Sequence, residues 1–235
     1  MANPTTPVSP TTPVSRRVRV IVLAVPVLLA VTTLACGVPE SERWGDGVLL
    51  RPNDDVLAAG GELDLDEEVS GDAMAAGRSI TFDGTVGGSY LGLAGDQEIR
   101  GRVDGSIRAA GGYVRLEGSV GRNLTLTGGS IDIESATAVE GNAYLAGGSV
   151  RMLGDVAGDV YVGAGEVELD GRVGGDVRVE AGSLTVGPDA RIDGELRYRI
   201  SEDGTARVAP EAVVSGGIEV LEPSGAPGGF MHRFL

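Results

Sequence analysis

Eight polar residues recur at one equivalent place in a repeated phrase: Asp72, Ser89, Ser106, Asn123, Asn142, Asp159, Asp176 and Glu195. Stacked in a column, the acidic members Asp159, Asp176 and Glu195 could hold a weakly bound cation or a glycan, or divide acid and base roles. Short polar side chains at chain bends equally serve to hydrogen-bond backbone groups, so both readings stand at this level. Other chemistries are closed. The chain has no Lys, so it has no P-loop, whose lysine must reach the phosphates. Its one His, His232, lies near the C-terminus. That rules out a helical two-histidine zinc motif and leaves a Ser-His-Asp relay without its base inside the phrases. The GGxGxD spacing of calcium-binding nonapeptides does not occur. The expectation is a non-enzymatic chain with no catalytic residues, no metal and no cofactor.

Placing such a column is the task of the surrounding elements, and a period sets them. One inward position recurs at Leu63, Ile80, Gln97, Val114, Ile131, Val150, Val167, Leu184 and Ala206, in steps of 17 broken once by 19 and once by 22. Two residues later stands a second column, from Leu65 to Val208, apolar at every place. A third runs from Val69 to Val214, a fourth from Ala73 to Ile218 and a fifth from Ala75 to Val220. Three phrases, "ESATAV", "GPDARI" and "APEAVV", each carry two extra residues at the same place, and the columns survive them. Within a phrase the apolar residues alternate, which is strand periodicity, and Gly, Asp or Asn follows each short run as a turn. One unit of this size cannot bury its apolar face alone, so copies must stack. The pattern predicts an all-β, single-chain parallel β-helix of about nine triangular windings spanning 48–220. Val56 and Ala58 fit a partial winding at its start, and the glycines are expected at corners that need positive φ.

Composition agrees and excludes partners. Gly is frequent, at 39 residues, but without a Gly-X-Y period, and aromatics make up only 4%, so the core is aliphatic. The net charge of −15 argues against nucleic acid, which requires a basic surface. Cys36 is the only cysteine, so no intramolecular disulfide can form.

Residues 1–35 differ from the rest. A Pro-rich polar lead is followed by Arg16, Arg17 and Arg19, then by sixteen uncharged residues at 20–35. A basic stretch, a short apolar run and small residues read as an export signal. The run ends in "TTLACG", which resembles the lipobox of bacterial lipoproteins, although Thr33 stands where that motif has Leu. The resemblance implies cleavage after Ala35 and lipidation of Cys36; an uncleaved anchor and plain secretion are the alternatives. Without residues 1–35, which hold three of the 19 basic residues and no acidic one, the net charge becomes −18.

The stretch from "GGSVRMLGDVAGDVYVGAGEVELDG" to "GELRYR" resembles the polymer-forming cytoskeletal family, the bactofilins, over roughly residues 56–220. That resemblance implies a right-handed helix, end-to-end assembly without nucleotide and a scaffold role near the cell envelope. The expected organisation is then an export signal at 1–35, a tether and N-terminal cap at 36–47, the helix at 48–220 and a cap or tail at 221–235. Leu63, Leu65, Ile218, Val220, Phe230 and Phe234 are the candidate assembly ends. The partners expected are copies of this chain, the membrane and an envelope component. The expected location is an exported lipoprotein facing the periplasm or the cell exterior. A monomeric lipid-anchored helix that binds a carbohydrate, cation or protein is the alternative.

Overall fold

The computed structural model describes residues 42–44 and 47–222, and among these there is no helix. Strand β1 (Glu42–Trp44) pairs antiparallel with β2 (Gly47–Leu50), and β2 pairs antiparallel with β3 (Val56–Leu65). From β3 onward every pairing is parallel. Nine long strands, from β3 to Leu196–Val208, stack in chain order, and nine two-residue strands, from β4 (Glu68–Val69) to Val213–Val214, stack beside them. Each winding is one long strand plus one short strand. At about 4.8 Å per strand, nine windings make a stack roughly 40 Å tall.

The long strands bend. In Val177–Val186 the buried residues are Val177, Val179, Leu184 and Val186. Alternation holds at each end of the strand and breaks in the middle, at Ala181 and Gly182, so one strand lays down two faces of the winding. The short strand supplies the third through a single inward residue, such as Val173. All five sequence columns therefore point inward. In register, Val156 lies between Val139 and Val173, and all three are almost fully buried.

Three features differ from the sequence expectation. First, the parallel windings begin at Val56 and not at residue 48, because β2 runs backward. Only "RPND" and Asp55 join β2 to β3, too short a connection for a parallel crossover. Asp55 N–H closes this turn on the Pro52 carbonyl at 3.2 Å, and Asn53 takes φ 60°, which Asn tolerates. Second, positive φ does not explain the glycines: among the described ones only Gly217 has it, at 93°. Close approach does. A Cβ on Gly148 would lie 2.7 Å from the carbonyl oxygen of Gly129 in the winding below. Third, the step of 22 contains three residues more than the two-residue insertion explains. They widen the corner of Leu196–Val208, where register shifts opposite Ala181 and Ser183.

The two-residue insertions behave alike. Thr137, Ala190 and Ala212 each donate their N–H to a carbonyl three residues back, on Glu134, Gly187 and Ala209. Thr137 is buried and its hydroxyl donates to the Leu116 carbonyl at 2.8 Å, so the extra turn leaves its polar group satisfied.

Candidate functional site

The polar column has a definite structure. Except at Ser106 and at the last member, Glu195, each side-chain oxygen accepts the backbone N–H of the equivalent residue one winding later. Asp72 N–H donates to Asp55 Oδ1 at 2.8 Å, Ser89 N–H to Asp72 Oδ1 at 2.7 Å and Ser106 N–H to Ser89 Oγ at 3.2 Å. Asn142, Asp159, Asp176 and Glu195 repeat the bond on Asn123, Asn142, Asp159 and Asp176, at 2.9 to 3.0 Å. The ladder ties corners together that would otherwise leave N–H groups unpaired. One carboxylate oxygen each of Asp159 and Asp176 is thus committed to backbone, and Glu195 pairs with Arg197 at 2.5 Å. No group of three or more acidic, His or Cys side chains lies close enough to hold a metal among the described residues.

Beside this ladder Tyr144 and Tyr161 stack, with centroids 5.2 Å apart and planes 5° from parallel. Burial, first, and the neighbouring Asp159 raise the Tyr161 hydroxyl above the ordinary tyrosine pKa. Glycans stack on ring faces. Here each ring covers one face of the other.

The two ends of the stack are unlike. Leu63 and Leu65, candidates for the N-terminal assembly end, are buried within the first winding. β2 occupies the edge of β3 as far as Ala59, Leu49 is buried beside Val56, and an Arg51–Glu67 ion pair fastens the turn to the first winding. At the other end Ile218–Val220 is the last strand of its sheet and Val213–Val214 the last of the other. Ile218 is 48% exposed and Val220 65%, although both continue the inward columns. Their lower side is well held: Leu196 N–H reaches the Gly217 carbonyl at 3.0 Å, and Leu221 N–H reaches the Tyr198 carbonyl at 2.8 Å. Their upper edge pairs with no strand among the described residues. Cys36, Phe230, Phe234, the export signal and the tail beyond Glu222 lie outside the described residues.

One surface escaped the sequence reading. On the outward side of the first windings, Leu50, Leu57, Met74 and Leu91 form one column, and Val48, Ala59, Ala76 and Leu93 form the next. Later windings put Arg108, Thr125 and Arg178 in the first of these columns. The signal was present one residue after the fourth and fifth inward columns, where Leu57, Met74, Leu91 and Leu93 stand in the early phrases and large aliphatic residues do not return until Leu221.

A polar pair interrupts the core. Gln97 is buried in an otherwise aliphatic column and donates to the Ala110 carbonyl at 2.7 Å, while its Oε1 has no partner. The buried Tyr90 hydroxyl is also without one, and burial raises its pKa well above the ordinary value. Gly92 makes room for both: a Cβ there would lie 2.6 Å from the Tyr90 hydroxyl. No family model, curated protein or solved structure matches this chain.

Proposed function

We propose that this chain is a non-enzymatic β-helical scaffold of the bacterial cell envelope that assembles with copies of itself through its C-terminal coil. One observation carries the reading: a strand edge at Ile218–Val220 that pairs with no strand among the described residues, with two core columns exposed there. Such an edge is a template for pairing with another chain, and stacking a second coil on it would bury both columns. The resemblance of the phrases to the polymer-forming cytoskeletal family supports the same reading, and the lipobox-like "TTLACG" supports a membrane-anchored, exported location. With a net charge of −15 along the chain, side-by-side contact is repulsive and salt relieves it over about 10 Å at 0.1 M. End-on stacking gains hydrogen bonds and apolar contact against that repulsion.

The antiparallel β1–β2 hairpin favours a second reading, a monomeric anchored helix that binds an envelope partner, because it occupies part of one end. Sedimentation velocity across protein and salt concentration, with negative-stain microscopy, separates the two. Assembly that Ile218→Glu or Val220→Glu abolishes while leaving a folded monomer supports the scaffold. A chain that stays monomeric under every condition supports the binding module instead.

A further inference from the structure

We propose that the apolar face of the first windings rests on the lipid bilayer to which the N-terminus is tethered. This rests on the envelope-anchored reading above. Of the seven large apolar side chains exposed among the described residues, Val48 (43%), Met74 (40%) and Leu93 (41%) share this one face. Leu50, Leu57 and Leu91 fill the neighbouring outward column. The pairing registers make the patch flat: two outward residues on each of four strands, with no charge among them.

Position and charge identify the occupant. Cys36, at the end of the uncharged run 20–35, stands twelve residues before Val48, a span of at most about 43 Å. The face therefore begins within tether reach of any membrane that holds the N-terminus, and it ends where the column turns to Arg108. Arg78 and Arg108 border it, are exposed and make no ion pair among the described residues, as suits lipid phosphates. Of the acidic side chains of the first windings, Glu62, Asp64 and Glu68 belong to the other two faces, and Asp55, beside Leu57, is held in the corner ladder. Asp72 is held in the same ladder.

A second copy fits poorly. Four strands by two residues cover a footprint of roughly 200 Å², against roughly 600 Å² per partner for even a small specific interface. A bilayer sets no such threshold, because the tether already supplies a high local concentration.

The test uses the full chain reconstituted in phosphatidylcholine vesicles that carry brominated acyl chains. In a Trp44→Phe background, Met74→Trp places the single fluorophore on the face, Leu93→Trp repeats it, and Glu168→Trp places it elsewhere. Quenching about threefold stronger at 74 and 93 than at 168, with a blue-shifted emission, is the expected result. Equal quenching in chains that float with the vesicles overturns this inference and leaves the anchored reading intact. Chains that do not float overturn both. A blue shift without vesicles, together with a dimer mass, overturns it in favour of a second copy. Melting curves of the three variants establish that each is folded.

Discussion

Ile218 and Val220 continue the same two columns that Val56 and Ala58 begin, yet the first pair is exposed and the second buried. Residue type does not explain the contrast, since Ile and Val are at least as apolar as Val and Ala. The neighbour does. Val56 and Ala58 lie beside a strand that runs backward over them, while no strand lies over Ile218 and Val220 among the described residues. In a stacked fold an inward side chain is sealed by the winding on each side, so the ends are the only places where the core meets an outsider. A reversed strand covers the first sheet as far as Ala59, while β4 pairs only with the winding above it; a last strand held only from below extends the parallel template at the other end.

The largest effect should come from repeating one substitution in the interior and at the open end of a single column. Val162→Asp puts a charge between Leu145 and Val179 in a dry core and should cost several kcal/mol, enough to unfold the chain in mild denaturant. Val220→Asp, in the same column, should shift the denaturation midpoint by no more than about 0.5 kcal/mol. Similar losses at both sites would erase the contrast between interior and end. Next comes the seal itself. Leu49→Ala removes the buried side chain of the cap strand, and urea titration should register about 2–4 kcal/mol. Self-association at the N-terminal end should rise in parallel; a stable, unchanged monomer would mean that the hairpin seals nothing.

A smaller effect belongs to the ladder that runs between the ends. Asp159→Ala deprives the Asp176 N–H of its acceptor and should cost about 1 kcal/mol, while Asp159→Asn, as Asn142 already shows, should restore most of it. An alanine variant with wild-type stability would leave the cation or glycan reading as the better account of these carboxylates. The smallest change has the opposite sign. Tyr90→Phe removes a buried hydroxyl that has no partner and should leave stability unchanged or raise it by up to about 1 kcal/mol. A clear loss in calorimetry would mean that the hydroxyl has a partner such as an internal water.

Much of the fold was legible in the sequence. The five columns, their insertions and the absence of helix follow from alternation and from a period of 17, and the burial of Val114, Leu116, Val120, Leu124 and Leu126 agrees residue by residue. The reversed cap strand was less so. Gly47 and Leu49 alternate with Val48 and Leu50 as any strand would, and alternation carries no direction. The clue was the five-residue connection to Val56, against the seven residues, 66–72, that join one long strand to the next. The apolar outer face is less legible, because its columns turn to Arg108 and Arg178 in later windings and so lack the constancy of the inward ones.

What the sequence determined by itself was which side chains point inward, because that depends on properties each residue carries locally: apolarity, a two-residue alternation and a turn after a set number of residues. The tertiary structure decided which of those side chains are covered and what the polar column does. Coverage of Val56 comes from a strand whose direction depends on a turn, and the exposure of Val220 from having no strand beyond it among the described residues. The role of Asp159 depends on an N–H seventeen residues away that only stacking brings to 2.9 Å. Neither fact resides in one phrase, because a repeated unit encodes its own shape but not its rank in the stack.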